Sequence, residues 1–113
     1  MPKQDYYEKG QLPDLAYLIL VILTQPRHGY FVMGEIEKLT DGEVRIGPAS
    51  LYTTLKKLTE ATYIRQINDT DTKKTYQITS DGIDALRVEI QKRKRLAAYG
   101  ENALSFLEVE NHE

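Results

Sequence analysis

Hydroxyl and lysine side chains recur along one side of the segment IGPASLYTTLKKL, residues 46–58. A helix turns by about 100° per residue, so the segment has an apolar side formed by Leu51, Leu55 and Leu58. The other side and its flanks carry small, hydroxyl and basic residues: Ala49, Ser50, Tyr52, Thr53, Lys56 and Lys57. Small and hydroxyl side chains can approach base edges, and lysines can pair with phosphates. The segment is therefore a candidate for DNA contact, although an ordinary amphipathic surface helix has the same pattern.

The charge of the chain is slightly negative, −2 for 113 residues, but its basic residues are clustered. Residues 45–77 carry six basic and three acidic side chains, and residues 87–95 carry five basic and one acidic. A phosphate-binding surface needs local positive potential rather than a basic average. The distribution permits nucleic-acid binding without requiring it, since the run at residues 92–95 is more typical of a solvated helix face.

Residues that perform covalent or metal chemistry are scarce in the sequence. The chain has no cysteine and two histidines, His28 and His112. It contains no glycine-rich phosphate loop and no paired-histidine metal motif. Asp69 and Asp71 could bind a cation weakly, but the further ligands of an EF-hand are missing. We therefore predict a protein that is not an enzyme and requires no metal or cofactor.

The composition predicts one domain over residues 1–113. The first ten residues lack the apolar core of a signal peptide, and the longest apolar run, residues 15–23, is too short to cross a bilayer as a helix. The absence of cysteine suits a reducing compartment. We predict a cytoplasmic protein without a membrane partner.

Three helices are predicted in the first half of the chain, over residues 14–25, 30–40 and 48–60. Pro13 and Pro48 suit the starts of the first and third helices, and Pro26 ends the first. Gly34 inside the second helix predicts a close approach by a neighbouring element. A short strand is predicted at residues 43–47, where apolar and polar residues alternate.

The first helix is apolar almost all round, which leaves two interpretations. It is either the central helix of the chain's own core or a helix shared with a second subunit. We favour the second and assign four of its residues to a dimer interface: Leu15, Leu18, Ile19 and Ile22.

The second half of the chain predicts a hairpin and a last helix. YIRQI and KTYQIT alternate in polarity and are joined by the polar loop NDTDTK, with Lys73 and Lys74 at or beside its tip. Thr79 or Ser80 can cap the last helix. One side of this helix carries Ile83, Leu86, Ile90 and Ala97 as far as Gly100, and residues 101–108 can add further turns.

This order of elements predicts a mainly helical α+β fold. A winged helix-turn-helix would occupy residues 12–79 and an additional C-terminal dimerisation helix residues 80–108. In such a fold the third helix enters the major groove of double-stranded DNA. The wing, residues 69–74, would contact the DNA backbone.

Several pieces of the sequence resemble the PadR family of bacterial transcriptional regulators, over about residues 12–90. They are HGY at residues 28–30, Pro48 with Leu51-Tyr52, Lys57-Leu58, and YQITSDG at residues 76–82. The short length is similar to that of a compact subgroup with one C-terminal helix. The resemblance implies a homodimeric repressor that binds a pseudo-palindromic operator.

The resemblance also implies which residues contact DNA and which form the dimer. It places at the DNA surface Tyr30, Ser50, Tyr52, Thr53 and Lys57, with Lys73 and Lys74 in the wing. It pairs the first and last helices across the two-fold axis, which adds Ile90 and Ala97 to the interface. The wing tip has two aspartates and no arginine, unlike the glycine- and arginine-rich tips of relatives, so its contacts are expected at phosphates.

Some members of the family bind phenolic acids or flat aromatic drugs at or near the dimer interface. This chain lacks the tryptophan that some of them use. Tyr17, Tyr99 and Phe106 are the candidates to line a pocket for a small aromatic effector, although aromatic residues at helical spacing also serve packing.

A winged-helix protein that contacts other proteins and has no DNA operator is the alternative interpretation. The dependence of DNA affinity on salt separates the two, because phosphate contacts weaken steeply as salt rises.

Overall fold

The computed structural model describes residues 7–68 and 74–111. Its elements follow the chain in this order: α1 (Asp14–Ile22), β1 (Arg27–His28), α2 (Gly29–Leu39), α3 (Pro48–Glu60), β2 (Ile64–Asn68), β3 (Thr75–Ile78) and α4 (Ser80–Asn111). The predicted fold class is confirmed: three helices and a small antiparallel sheet are followed by a long C-terminal helix.

Helix α1 ends three residues before the predicted end. The N–H of Leu23 still bonds to the carbonyl of Ile19, but the carbonyl of Leu23 accepts from the N–H of Ile78 in β3. Pro26 has no N–H to extend the helix, and it also disfavours helical backbone at the residue before it. The chain therefore leaves the helix early and turns towards the sheet.

The sheet has the strand order β1-β3-β2, and both pairs are antiparallel. The predicted hairpin is confirmed, with Ile64 opposite Ile78 and an irregularity between Gln66 and Asn68. The prediction of a short strand at residues 43–47 is wrong, because those residues have no regular secondary structure. Arg27 and His28 form the third strand instead, opposite Tyr76 and Thr75 of β3.

The core joins α1, α2, α3 and the inner side of the sheet. Its fully buried large apolar residues are Ile19, Leu20, Leu23, Val32, Ile36, Leu51, Leu55, Leu58 and Ile64. The apolar residues of three helices thus share one interior, and burial of each such side chain contributes about 1.5–3 kcal/mol. Gly34 marks no close approach, contrary to the prediction, because a Cβ built there has no neighbour within 4 Å.

The start of α4 is fixed against the hairpin by Thr79, as predicted for the cap. Its hydroxyl accepts from the N–H of Gly82 at 3.0 Å and donates to the carbonyl of Thr62 at 2.6 Å. A Cβ added to Gly82 would lie 2.1 Å from the carbonyl oxygen of Tyr63. Only glycine allows the helix to approach the backbone just before β2 so closely, which explains this residue of the YQITSDG motif.

Helix α4 is continuous through Gly100 and spans 32 residues, about 48 Å at 1.5 Å per residue. The largest extent of the described chain is 66 Å. The second half of α4 therefore extends beyond the body formed by the other elements. Within residues 7–68 and 74–111, no helix is long and apolar enough to span a membrane, and no cluster of three or more acidic or histidine side chains could hold a metal ion.

Candidate nucleic-acid interface

Helix α3 presents one buried and one exposed side, as predicted from its sequence. Leu51, Leu55 and Leu58 are buried, and Thr54 beside them is buried as well. The exposed residues are Ala49, Ser50, Tyr52, Thr53 and Lys56, while Lys57 is half-buried. Gly47 forms the N-cap and Pro48 opens the first turn. The outer side of α3 therefore offers small, hydroxyl and basic groups to a ligand.

Gly29 brings the first turn of α2 against α3. A Cβ at this position would lie 3.2 Å from Leu55 and 3.3 Å from Tyr76, with Tyr52 at 3.6 Å. Tyr30 is the next residue along the chain, and its side chain is 74% exposed. Gly29 thus packs closely against α3, and an exposed tyrosine follows it in the first turn of α2.

Tyr52 and Tyr76 differ in their access to solvent. Tyr76 of β3 is buried, and burial raises the pKa of its hydroxyl, with a smaller contribution from the charge of Tyr52. Tyr52 is 46% exposed and belongs to the outer surface. Tyr52 is therefore accessible to a ligand, whereas Tyr76 belongs to the core.

Of the predicted wing, residues 69–74, the structure describes Lys74 alone, and residues 69–73 lie outside the described residues. The Lys74 side chain is exposed, and its carbonyl accepts from the N–H of Gly29 at 3.1 Å. Thr75 forms a 3.1 Å hydrogen bond with Nδ1 of His28. These bonds attach the base of the wing to β1, next to α2. Lys73 lies outside the described residues.

Tyr7, which no sequence pattern indicated, lies against the outer side of α3. The Lys57 ammonium is 5.7 Å from the centre of the Tyr7 ring. The two residues border a notch of about 300 Å³, which is lined by Tyr7, Leu15, Ala49, Ser50, Thr53, Thr54 and Lys57. No periodicity or motif precedes Pro13, so no local pattern predicts this contact.

The residues predicted for the dimer interface fall into three groups. Leu15, Leu18 and Ile22 are half-buried against the core, and on α4 Ile90 is half-buried and Ala97 exposed. All five keep surface that a partner could cover. Ile19 requires a correction, because its side chain is fully buried in the protomer's own core and cannot contact a second subunit.

The three aromatic residues predicted for an effector pocket are not brought together in one protomer. Tyr17 lies on α1, and the guanidinium carbon of Arg93 is 4.4 Å from the centre of the Tyr17 ring. Tyr99 and Phe106 are 63% and 69% exposed on the second half of α4. An effector pocket remains a prediction.

The basic run at residues 92–95 is only partly solvated, because two of its members are half-buried. Arg93 donates to the buried carboxylate of Glu89 and to Asp14, both at 2.8 Å. Burial alone lowers the pKa of Arg93, but hydrogen bonds to Asp14 and Glu89 outweigh this effect and raise the pKa above its ordinary value. Lys92 lies 3.8 Å from Glu89. Two of the four basic residues therefore serve an internal ion-pair network.

Comparison with protein families gives a match that covers well over half of the chain. The sequence model of the transcriptional regulator PadR-like family matches residues 18–88. This region contains α2, α3, the sheet and the start of α4. A search of curated proteins gave no match.

Solved structures show the same fold. A transcriptional regulator from Clostridium thermocellum is 24% identical, with a TM-score of 0.65, over 81% of this chain and 91% of that one. A PadR family transcriptional regulator from Eggerthella lenta is 25% identical, with a TM-score of 0.62, over 80% of each chain. Bacillus subtilis PadR in complex with operator DNA is 28% identical, with a TM-score of 0.58, over 66% of this chain. The match covers 45% of the B. subtilis chain.

Proposed function

Because this chain belongs to the PadR-like family of transcriptional regulators, it is a DNA-binding regulator and not an enzyme, and we propose that it is a homodimeric repressor. In this proposal the dimer binds a pseudo-palindromic operator through α3, residues 48–60, and through a wing at residues 69–74. The alternative, a winged-helix module that contacts only other proteins, has no observation in its favour beyond the fold.

The main support for the proposal is that α3 has one buried side and one exposed side. Its leucines are fully enclosed, so the helix is fixed to the body and cannot turn its other side inward. The outer side presents two small residues, Ala49 and Ser50, in its first turn and Thr53 one turn later. A recognition helix approaches base edges with such residues near its N-terminus.

Basic residues around α3 are suited to phosphate contacts. Lys56 and Lys57 lie towards the end of the helix, and Lys74 lies at the base of the wing. The described residues offer none of these three lysines an ion-pair partner. Their charges are therefore available to the DNA backbone. Of the operator complex of B. subtilis PadR we transfer only the partner class, double-stranded DNA.

Dimer formation is supported by an uncovered apolar side of α4. In the first half of α4, the side that contains Ala85 and Glu89 is buried against the body. In the second half of α4, exposed apolar residues lie on the same side of the helix or at its borders: Leu96, Tyr99, Leu104, Phe106 and Leu107. A second copy of α4 would cover this surface.

The dimer should place its two α3 helices about 34 Å apart, so that they enter successive major grooves on one face of the duplex. The two-fold symmetry of the protein then requires a pseudo-palindromic operator. Repression follows if the operator overlaps a promoter, since a bound dimer excludes polymerase.

A selection experiment tests this proposal. The full chain is incubated with a pool of randomised duplex DNA, bound molecules are sequenced, and affinity for the selected site is measured by fluorescence anisotropy at several salt concentrations. We expect a symmetric site, and an affinity whose logarithm falls with the logarithm of salt by about 0.9 per neutralised phosphate.

Lys57→Ala should weaken binding to every sequence and reduce the salt slope. Lys38→Ala is the matched control, because Lys38 is an exposed lysine in the last turn of α2, paired with Glu35. No enrichment and no binding at low salt would favour the protein-contact module.

A further inference from the structure

The chain before α1 forms a defined arm, residues 7–13, that runs from the outer side of α3 to α4. The N–H of Gln11 bonds to the carbonyl of Glu8 at 3.0 Å, which closes a turn. Gly10 lies in this turn with a φ of +78°, a left-handed conformation that glycine adopts without strain. The arm is therefore shaped by its own sequence as well as by its contacts.

Helix α4 anchors the arm through a fully buried carboxylate. Glu89 accepts from the N–H of Leu12 at 3.2 Å and from Arg93 at 2.8 Å. Arg93 in turn donates to the carbonyl of Leu12 at 3.1 Å, and Lys92 donates to the carbonyl of Gly10 at 2.5 Å. Both polar groups of the Leu12 backbone are thus held by α4, and the arm has a fixed position.

At its other end the arm holds Tyr7 beside Lys57. Tyr7 is partly buried against the core, and its ring faces the Lys57 ammonium at 5.7 Å. Among the described residues no carboxylate pairs with Lys57. A cation beside an aromatic ring is stabilised by the ring's quadrupole and keeps its full charge for another partner.

We propose that Tyr7 is a positioning residue of the DNA-binding surface, which orders the Lys57 side chain for a phosphate and is itself held in place by the α4-anchored arm. The inference rests on the proposed function, since it requires that α3 binds DNA. A free lysine loses side-chain conformational entropy when it is ordered. A ring that already restricts the side chain removes part of this cost before DNA arrives.

A double-mutant cycle tests the proposal. Tyr7→Leu keeps apolar packing but removes the aromatic ring, Tyr7→Phe keeps the ring, and each is combined with Lys57→Ala. DNA affinity and its salt slope are measured on the selected duplex, and thermal unfolding verifies that each variant is folded. We expect Tyr7→Leu to weaken binding about two- to fivefold per bound protomer, with Tyr7→Phe close to wild type.

The decisive comparison is between the effect of Tyr7→Leu in the wild-type protein and its effect in the Lys57→Ala protein. In the Lys57→Ala protein, Tyr7→Leu should have no further effect on affinity or salt slope. An equal loss in both backgrounds would overturn the inference, because Tyr7 would then act independently of Lys57. Wild-type affinity for Tyr7→Leu would overturn it as well and would leave the proposed function intact. Failure of the wild-type protein to bind any DNA would instead remove the proposed function itself.

Discussion

The backbone N–H of Leu12 donates to Oε1 of Glu89 across 3.2 Å, between residues 77 positions apart in the sequence. Glu89 is completely buried, and its other oxygen accepts from Arg93 at 2.8 Å. The bond joins the chain before α1 to the helix that we propose as the dimer contact. It therefore links the arm that holds Tyr7 beside Lys57 to that helix.

Removal of the Glu89 carboxylate should destabilise the protein. Glu89→Ala leaves the Leu12 N–H without its acceptor and Arg93 with Asp14 as its remaining acidic partner. We expect the free energy of unfolding to fall by roughly 1–3 kcal/mol, less than for a fully enclosed pair because Arg93 is partly exposed. Urea denaturation measures the change, with Glu101→Ala on the exposed surface of α4 as the control. Equal losses in the two variants would contradict the role of Glu89.

Gly82→Ala should be among the most destabilising alanine substitutions in the chain. The new methyl group would meet the backbone of Tyr63 at 2.1 Å, and backbone cannot move as a flexible side chain would. We expect a loss of about 3 kcal/mol or more, seen as a lower midpoint of thermal unfolding.

Gly34→Ala provides the matched control for Gly82→Ala. Its added methyl group has no neighbour within 4 Å, and alanine has a higher helix propensity by about 1 kcal/mol. This variant should therefore be slightly more stable than wild type. If both glycine variants lose stability equally, the close approach at Gly82 is not the cause.

Thr53→Ala should change sequence preference rather than overall affinity. Thr53 is exposed at the middle of α3, where its hydroxyl and methyl groups can distinguish bases by about 1–3 kcal/mol. Selection from a randomised pool should show relaxed preference at one base step of each half-site. Lys56→Ala serves for comparison, because loss of a phosphate contact should weaken all sequences alike.

Charged substitutions on the apolar side of α4 should produce monomers. The double variant Leu96→Lys, Leu107→Lys places two charges on the surface proposed for the partner helix, and burial of unpaired charges is costly. Sedimentation equilibrium should show half the wild-type mass, together with weaker DNA binding. Ser105→Lys adds a charge on the opposite side of the same helix and should remain dimeric. An unchanged mass for the double variant would place the interface elsewhere.

Alkaline conditions should destabilise the fold through Tyr76. Its pKa is raised in the folded protein, above the ordinary value of 10.0, by burial and then by Tyr52. The folded state therefore binds the proton more tightly, so this contribution to stability is complete below about pH 10 and is lost as the pH rises through the folded pKa. Unfolding free energies between about pH 8 and pH 11 should fall less steeply for Tyr76→Phe than for wild type.

Local patterns in the sequence determined a large part of this protein. The leucine spacing and Pro48 predicted α3 with its buried side, the alternation of YIRQI and KTYQIT predicted the hairpin, and Thr79 predicted the cap of α4. These features depend on residues close together in the chain, whose periodicity and capping act over one or two turns. The PadR resemblance was visible for the same reason, because its motifs are the short pieces that form these turns.

Only the tertiary structure determined the positions of segments whose local sequence allowed more than one arrangement. The edge of β3 is filled by Arg27 and His28 rather than by residues 43–47, and Ile19 faces the protomer's own core rather than a partner. Arg93 turns inward to Glu89 and Leu12, and the arm brings Tyr7 to Lys57. Each of these outcomes depends on a contact between residues distant in the chain, and no local period or cap encodes which of several competing partners is reached in space.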